Sequence, residues 1–227
     1  LIKNFLNDKT PYKSLLIFHG VGVGKTCTAI TASECFQDYF ARNNKKIICL
    51  ASGNLHDQWR DTIYNKNNKK CPTTNITNVF DNDKAYFTDG VDLRIKKHIE
   101  KYYEFWGYLQ FANHVESQIN KKIRKEITPE ERKKIEIDVI KEIYSNRLLI
   151  VDEIHNLRDS SDIESSDNLA RKQSFDYLNK VLKYSDNLRL ILLSATPMYD
   201  NSKEIINILN YLLLNDKKTP IEVKDIF

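Results

Sequence analysis

Apolar side chains fall along this chain in short, unbroken runs. Ser14-Leu15-Leu16-Ile17-Phe18, Lys46-Ile47-Ile48-Cys49-Leu50, Arg147-Leu148-Leu149-Ile150-Val151 and Leu188-Arg189-Leu190-Ile191-Leu192-Leu193 are the clearest. Runs of this length predict buried strands. Cys27 to Ala41 carries helix-compatible residues with no glycine or proline. Thr128-Pro129-Glu130-Glu131 has the grammar of a helix start: Thr as N-cap, Pro at the first helical position and Glu three residues on. Ile135, Val139, Ile140, Ile143 and Tyr144 follow at helical spacing, so the interval from about 113 to 146 predicts an amphipathic helical insertion with a mixed-charge, solvated face. Ser160 to Asp167 reads as a mobile polar loop.

At 227 residues, 41% hydrophobic and 29% charged, the chain can bury a core, which excludes wholesale disorder and suits one α/β domain over 1–227. No apolar run approaches the ~18–20 residues of a membrane span, so no membrane partner is expected. A net charge of +4 is compatible with nucleic acid without demonstrating it. Cys27, Cys35, Cys49 and Cys71 form no CxxC pair and no zinc spacing with histidine. They read as buried thiols of a reducing compartment, and the expected location is intracellular and cytoplasmic. Leu1 in place of Met suggests a piece of something longer.

Of six glycines, Gly20, Gly22 and Gly24 fall within five residues, directly after the first predicted strand. Strand, then His19-Gly20-Val21-Gly22-Val23-Gly24-Lys25-Thr26, then helix is the arrangement of a phosphate-binding loop. Inward backbone N–H groups and the positive end of the helix attract an anion. Lys25 can reach β- and γ-phosphates and the Thr26 hydroxyl can ligate Mg²⁺. The full G-x-x-x-x-G-K-[ST] pattern requires glycine where His19 stands, so only the G-x-G-K-T core, Gly22, Val23, Gly24, Lys25 and Thr26, is intact.

The third run leads into Asp152-Glu153-Ile154-His155, and the fourth into Ser194-Ala195-Thr196-Pro197. An acidic pair at the carboxyl end of a buried strand suits a metal-holding Asp152 and a water-polarising Glu153. In open parallel sheets ligands bind outside the carboxyl ends of the strands, so the three motifs converge on one edge.

Together these segments resemble motifs I, II and III of superfamily 2 helicases and translocases of the DExH type. Ser14 to His19, and Leu193 to Met198 followed by Asn201, are further similar to the nucleoside triphosphatase I and early transcription factor small-subunit group of large cytoplasmic DNA viruses. The resemblance implies a RecA-like P-loop domain: a mainly parallel sheet, helices on both faces and the helical insertion before the DExH motif. It implies ATP and Mg²⁺ as cofactors, with Lys25, Asp152 and Glu153 catalytic and His155, Ser194 and Thr196 coupling nucleotide state to strand grip.

Ala51-Ser52-Gly53 through Gln58-Trp59 resembles motif Ia in its Snf2-like form. Tyr102 to Phe111 resembles the strand and turn of motif Ib. Ser52, Gly53, Gly107 and Tyr108 are then the expected nucleic-acid residues. Trp59 reads as a buried helix aromatic, and the aromatic stretch as core, with base stacking the alternative.

The expected function is the motor lobe of an ATP-dependent DNA helicase or translocase serving viral-type transcription, with location in a viral factory or virion if the source is viral. Expected partners are DNA, a second RecA-like lobe absent from this chain and viral RNA polymerase. Without that lobe's arginine fingers the isolated domain is expected to hydrolyse ATP weakly. The alternatives are an RNA helicase, or a non-catalytic promoter-binding or polymerase-docking subunit with a vestigial ATP site.

Overall fold

The apolar runs form strands because each alternate side chain meets a helical layer on one face of the sheet, leaving no face for polar residues. In the computed structural model, residues 2–7, 9–20, 22, 24–64, 71, 90–123, 127–157, 166–196 and 204–226 are described. Among them β1 (Ser14–Phe18), β2 (Ile47–Leu50), β3 (Tyr103–Trp106), β4 (Leu148–Val151) and β5 (Arg189–Ser194) make a wholly parallel sheet. The strand order is β1-β5-β4-β2-β3.

Parallel neighbours need crossovers long enough to return the chain to the same end, and helices supply them. The crossovers carry α2 (Lys25–Arg42), α3 (His56–Ile63), α4 (Gly90–Tyr102), α5 (Tyr108–Lys122), α6 (Pro129–Tyr144) and α7 (Ser166–Tyr184), while α1 (Ile2–Phe5) precedes β1 and α8 (Glu204–Asn215) follows β5. Ile47, Cys49, Leu148, Ile150, Ile191 and Leu193 face one layer, where Ile30 and Phe36 of α2, Trp59 and Ile63 of α3 and Ile99 of α4 pack. Ile48, Leu50, Leu149, Val151, Leu190 and Leu192 face the other, built from Phe111 and Val115 of α5, Val139 and Ile140 of α6, Leu178 and Val181 of α7 and Tyr211 of α8. This is the RecA-like α/β architecture expected, with helices on both faces.

The helix begun at Thr128 carries its full capping box: the Thr128 hydroxyl accepts from Glu131 N at 3.2 Å, and the Glu131 carboxylate accepts from Thr128 N at 2.8 Å. Lys180–Glu136 at 2.8 Å ties it to α7 and Lys122–Glu142 at 3.2 Å ties it to α5, while Glu130 to Lys134 are exposed, in keeping with a mixed-charge surface. The expected start of the helical stretch near residue 113 falls inside α5, which begins at Tyr108. Gly107 ends β3 and caps this helix, and Phe111, Ala112, Val115 and Ile119 continue one buried stripe. The polar segment expected as a loop at 160–167 lies outside the described residues up to 165, while Ser166 and Asp167 already belong to α7. No helix among the described residues is long and apolar enough to cross a membrane.

Register aligns the functional edge. Phe18 pairs with Ser194, Val151 with Leu192, and Leu50 with both Val151 and Trp106. The pairing continues past the strands, since Ala51 N donates to Trp106 O at 3.0 Å and Asp152 N to Leu50 O at 2.8 Å. The glycine loop, the Ser52 segment, Gly107, the acidic pair and Ser194 therefore emerge side by side.

Candidate nucleotide site

The loop after β1 can wrap an anion because Gly22 and Gly24 stand at φ of +77° and +85°, where a side chain is strained. Gly24 O accepts from Thr28 N at 2.9 Å, which starts α2 immediately beyond the loop. Val23, expected with them, lies outside the described residues. Lys25 is buried and donates to the carbonyls of His19 at 3.3 Å and Gly20 at 3.5 Å. Its ammonium also lies 3.8 Å from a Glu153 carboxylate oxygen. The Lys25 ammonium and the acidic pair therefore face one another.

Lys25, Thr26, Asp152 and Glu153 line a single cleft of about 530 Å³, with Gln58 and Trp59 of α3 on its wall. Asp152 is 6% exposed. Its carboxylate accepts from the Trp59 indole at 2.9 Å and from Glu153 N at 3.0 Å, and its own carbonyl accepts from the Tyr108 hydroxyl at 2.5 Å. Burial pushes the Asp152 carboxyl above the usual carboxylate range, and the Glu153 charge adds to this. The Trp59 and Glu153 hydrogen bonds and the Lys25 charge pull it back.

Glu153 takes a left-handed conformation, φ +45° and ψ +53°, rare for a residue with a side chain. That turn carries its carboxylate to three neighbours: Lys25, the His155 ring nitrogen at 3.3 Å and Ala195 N at 3.5 Å. The same His155 nitrogen lies 3.2 Å from the Ser194 hydroxyl, which accepts from Thr196 N at 3.2 Å. The expected coupling residues form one connected chain from this cleft to the end of β5.

Ser52, Gly53, Gly107 and Tyr108 line one further cleft of about 420 Å³, roofed by Arg171 and Ser174 of α7. Arg171 was not singled out from the sequence, because α7 carried no signature that placed it at this edge. Trp59 is 1% exposed, as read, but its indole N–H is spent on Asp152. Tyr108 is likewise tied through its hydroxyl to that residue's backbone. Burial pushes the Tyr108 phenol up.

One expectation is corrected. Cys27, directly after Thr26, is joined to Cys71 in a disulfide, 44 residues along the chain. Cys35 and Cys49 stand outside this bridge, and Cys35 is exposed where a buried thiol was expected, while Cys49 is buried. No spacing rule reports such a pair, since a tertiary return of the chain brings Cys71 to the start of α2.

A family model described as "Type III restriction enzyme, res subunit" matches residues 1–199. The chain is 32% identical over 230 residues to a protein of Acanthamoeba polyphaga mimivirus named "Putative ATP-dependent RNA helicase", an alignment covering 93% of this chain and 18% of that one. It is 31% identical over 239 residues to a "Putative helicase" of Invertebrate iridescent virus 3, covering 100% of this chain and 20% of the relative. The chain thus spans only about a fifth of the length of these two relatives. Since the family match covers the phosphate loop, the acidic pair and the Ser194–Thr196 turn alike, the chain belongs to the ResIII family, as a helicase-type ATP-dependent motor domain of superfamily 2 related to proteins of large DNA viruses.

Proposed function

We propose that this chain is the ATP-binding lobe of a DNA helicase or translocase, serving transcription inside cells infected by a large DNA virus. One observation carries the reading: Lys25, Thr26, Asp152 and Glu153 line a single cleft, and Glu153 is bonded onward toward Ser194. Lys25 presents a point charge to the β- and γ-phosphates, and its present carbonyl contacts are exchanged for phosphate oxygens. The Glu153 carboxylate accepts a hydrogen bond from the attacking water and takes up its proton, oriented meanwhile by His155 and Ala195 N.

The donor set fits Mg²⁺. Thr26 and Asp152 offer hard oxygens on one cleft, and among the described residues no group of three His, Cys, Asp or Glu gathers that could hold a metal alone. Such a site suits a cation that brings phosphates and water as its other ligands. When bound, Mg²⁺ neutralises phosphate charge.

The nucleic-acid path runs over Ser52, Gly53, Gly107 and Tyr108, where helix-start N–H groups suit backbone phosphates. A second RecA-like lobe of a longer parent supplies the arginine fingers, and viral RNA polymerase is the partner in transcription. Alone, the chain binds nucleotide and turns it over slowly. RNA as the tracked strand is the second reading, favoured by the name of the mimivirus relative.

Binding of a fluorescent ATP analogue to this chain tests the first step. Lys25→Ala removes a charge-assisted contact worth about 1.5–3 kcal/mol and is expected to weaken binding roughly tenfold or more. Equal binding by wild type and Lys25→Ala would refute the site. Competing single-stranded DNA against RNA of the same sequence for stimulation of the parent enzyme decides the strand.

A further inference from the structure

We infer that Trp59 is a positioning residue for the metal-side carboxylate of Asp152. The inference rests on the nucleotide-site reading above and extends it to a side chain that reads, by burial alone, as packing. An indole N–H can only donate, and here it meets a carboxylate at the floor of the cleft rather than a backbone carbonyl. Asp152 Oδ2 is held by Trp59 at 2.9 Å and Oδ1 by Glu153 N at 3.0 Å, so both oxygens are oriented and the side chain has one rotamer to offer. The Tyr108 hydroxyl fixes the same residue from behind, through its carbonyl.

The placement of these two aromatics gives the device its reach. Trp59 stands on α3, which is entered through Ser52–Leu55, and Tyr108 opens α5 directly after Gly107. Two of the segments that line the second cleft thus end on the same aspartate. Partners that orient a metal ligand typically change metal affinity 10–100-fold when removed. Trp59 therefore acts through Asp152.

The test compares wild type with Trp59→Phe, which keeps the ring in the core and deletes the N–H. Free Mn²⁺ is followed by electron paramagnetic resonance during titration into each chain in saturating ADP. Nucleotide affinity in EDTA is measured beside it. We expect at least tenfold weaker Mn²⁺ binding with metal-free nucleotide affinity unchanged. A purely structural role would lower the melting temperature and leave the Mn²⁺ titration where it was, which would overturn the inference while leaving the site intact. Failure of wild type itself to bind nucleotide would overturn both readings.

Should Trp59→Phe not fold, Trp106→Phe leaves Trp59 as the sole reporter, the chain having two tryptophans. Its emission is expected to change saturably as Mg²⁺ enters the nucleotide complex. A flat trace during demonstrated nucleotide binding overturns the inference.

Discussion

Glu153 combines strain and chemistry in one residue. Holding a non-glycine residue in the left-handed region costs about 1–3 kcal/mol and persists where surroundings over-determine it. Here the Lys25, His155 and Ala195 contacts do so. Glu153→Gln keeps the shape and the turn but cannot take a proton. The parent enzyme carrying it is expected to lose about 10²–10⁴-fold in turnover while this chain still binds nucleotide normally, measured by phosphate release beside analogue binding. Retained turnover would remove Glu153 from its assigned role. Gly24 offers the complementary case. A Cβ there meets nothing within 4 Å, so crowding is not the obstacle. At φ +85° the cost is conformational, about 1–2 kcal/mol. Gly24→Ala is accordingly expected to weaken analogue binding roughly tenfold with little loss of core packing, since relaxing the loop turns an N–H away from the anion. Wild-type affinity with an unchanged melting curve would show that the loop does not use this angle. At this scale the sequence marked Lys25, Asp152 and Glu153 by type and spacing. Trp59 escaped because burial and function look alike in a one-dimensional pattern: its partner lies 93 residues away, on another strand.

Elements whose signals are local were legible nearly to the residue. β1 occupies Ser14–Phe18 as read, and Thr128 caps α6 with the Pro and Glu that its sequence grammar demands. Thr128→Ala removes the hydroxyl that accepts from Glu131 N while the backbone N–H of residue 128 still donates to the Glu131 carboxylate, and about 1 kcal/mol should be lost. For a chain of this length the melting temperature should fall by about 2–4 °C, read by circular dichroism, with nucleotide binding unaffected because the cap is remote from the cleft. A fall in binding with no change in melting would mean that the helix serves the site directly. Elements specified by distant packing were less legible. Ser166 and Asp167, which look like turn residues, instead open α7, because Leu178, Val181 and Leu182 further along bury against the sheet and carry the helix with them. The strand order β1-β5-β4-β2-β3 likewise depends on which buried runs pair, and four similar runs of Leu and Ile leave that undetermined until the crossovers are built.

The Cys27–Cys71 bond acts on the whole molecule, because it closes a long loop against the first turn of α2. Cross-linking residues 44 apart restricts the unfolded chain, and loop-closure entropy alone sets this at about 4 kcal/mol. Such a gain exceeds the Thr128 cap severalfold and corresponds to roughly 10 °C in melting temperature for a domain of this size. Its position matters as much as its size. Both cysteines line the cleft proposed to hold the nucleotide, so the bond ties Cys71 to the residue that follows Thr26. Oxidised wild type is expected to melt well above the same chain in dithiothreitol. Cys71→Ser should melt at the lower temperature with or without reductant, and thiol labelling under non-reducing conditions should modify two fewer cysteines in wild type than after reduction. If labelling finds all four thiols free and reductant leaves the melting curve in place, the bridge does not form in solution and the fold is held by its two apolar layers alone. If the bridge forms, adding ATP analogue to oxidised and reduced wild type separates stability from function. A melting shift with equal affinity makes the bond a staple, while a change in affinity makes the start of α2 responsive to the thiol state of the protein.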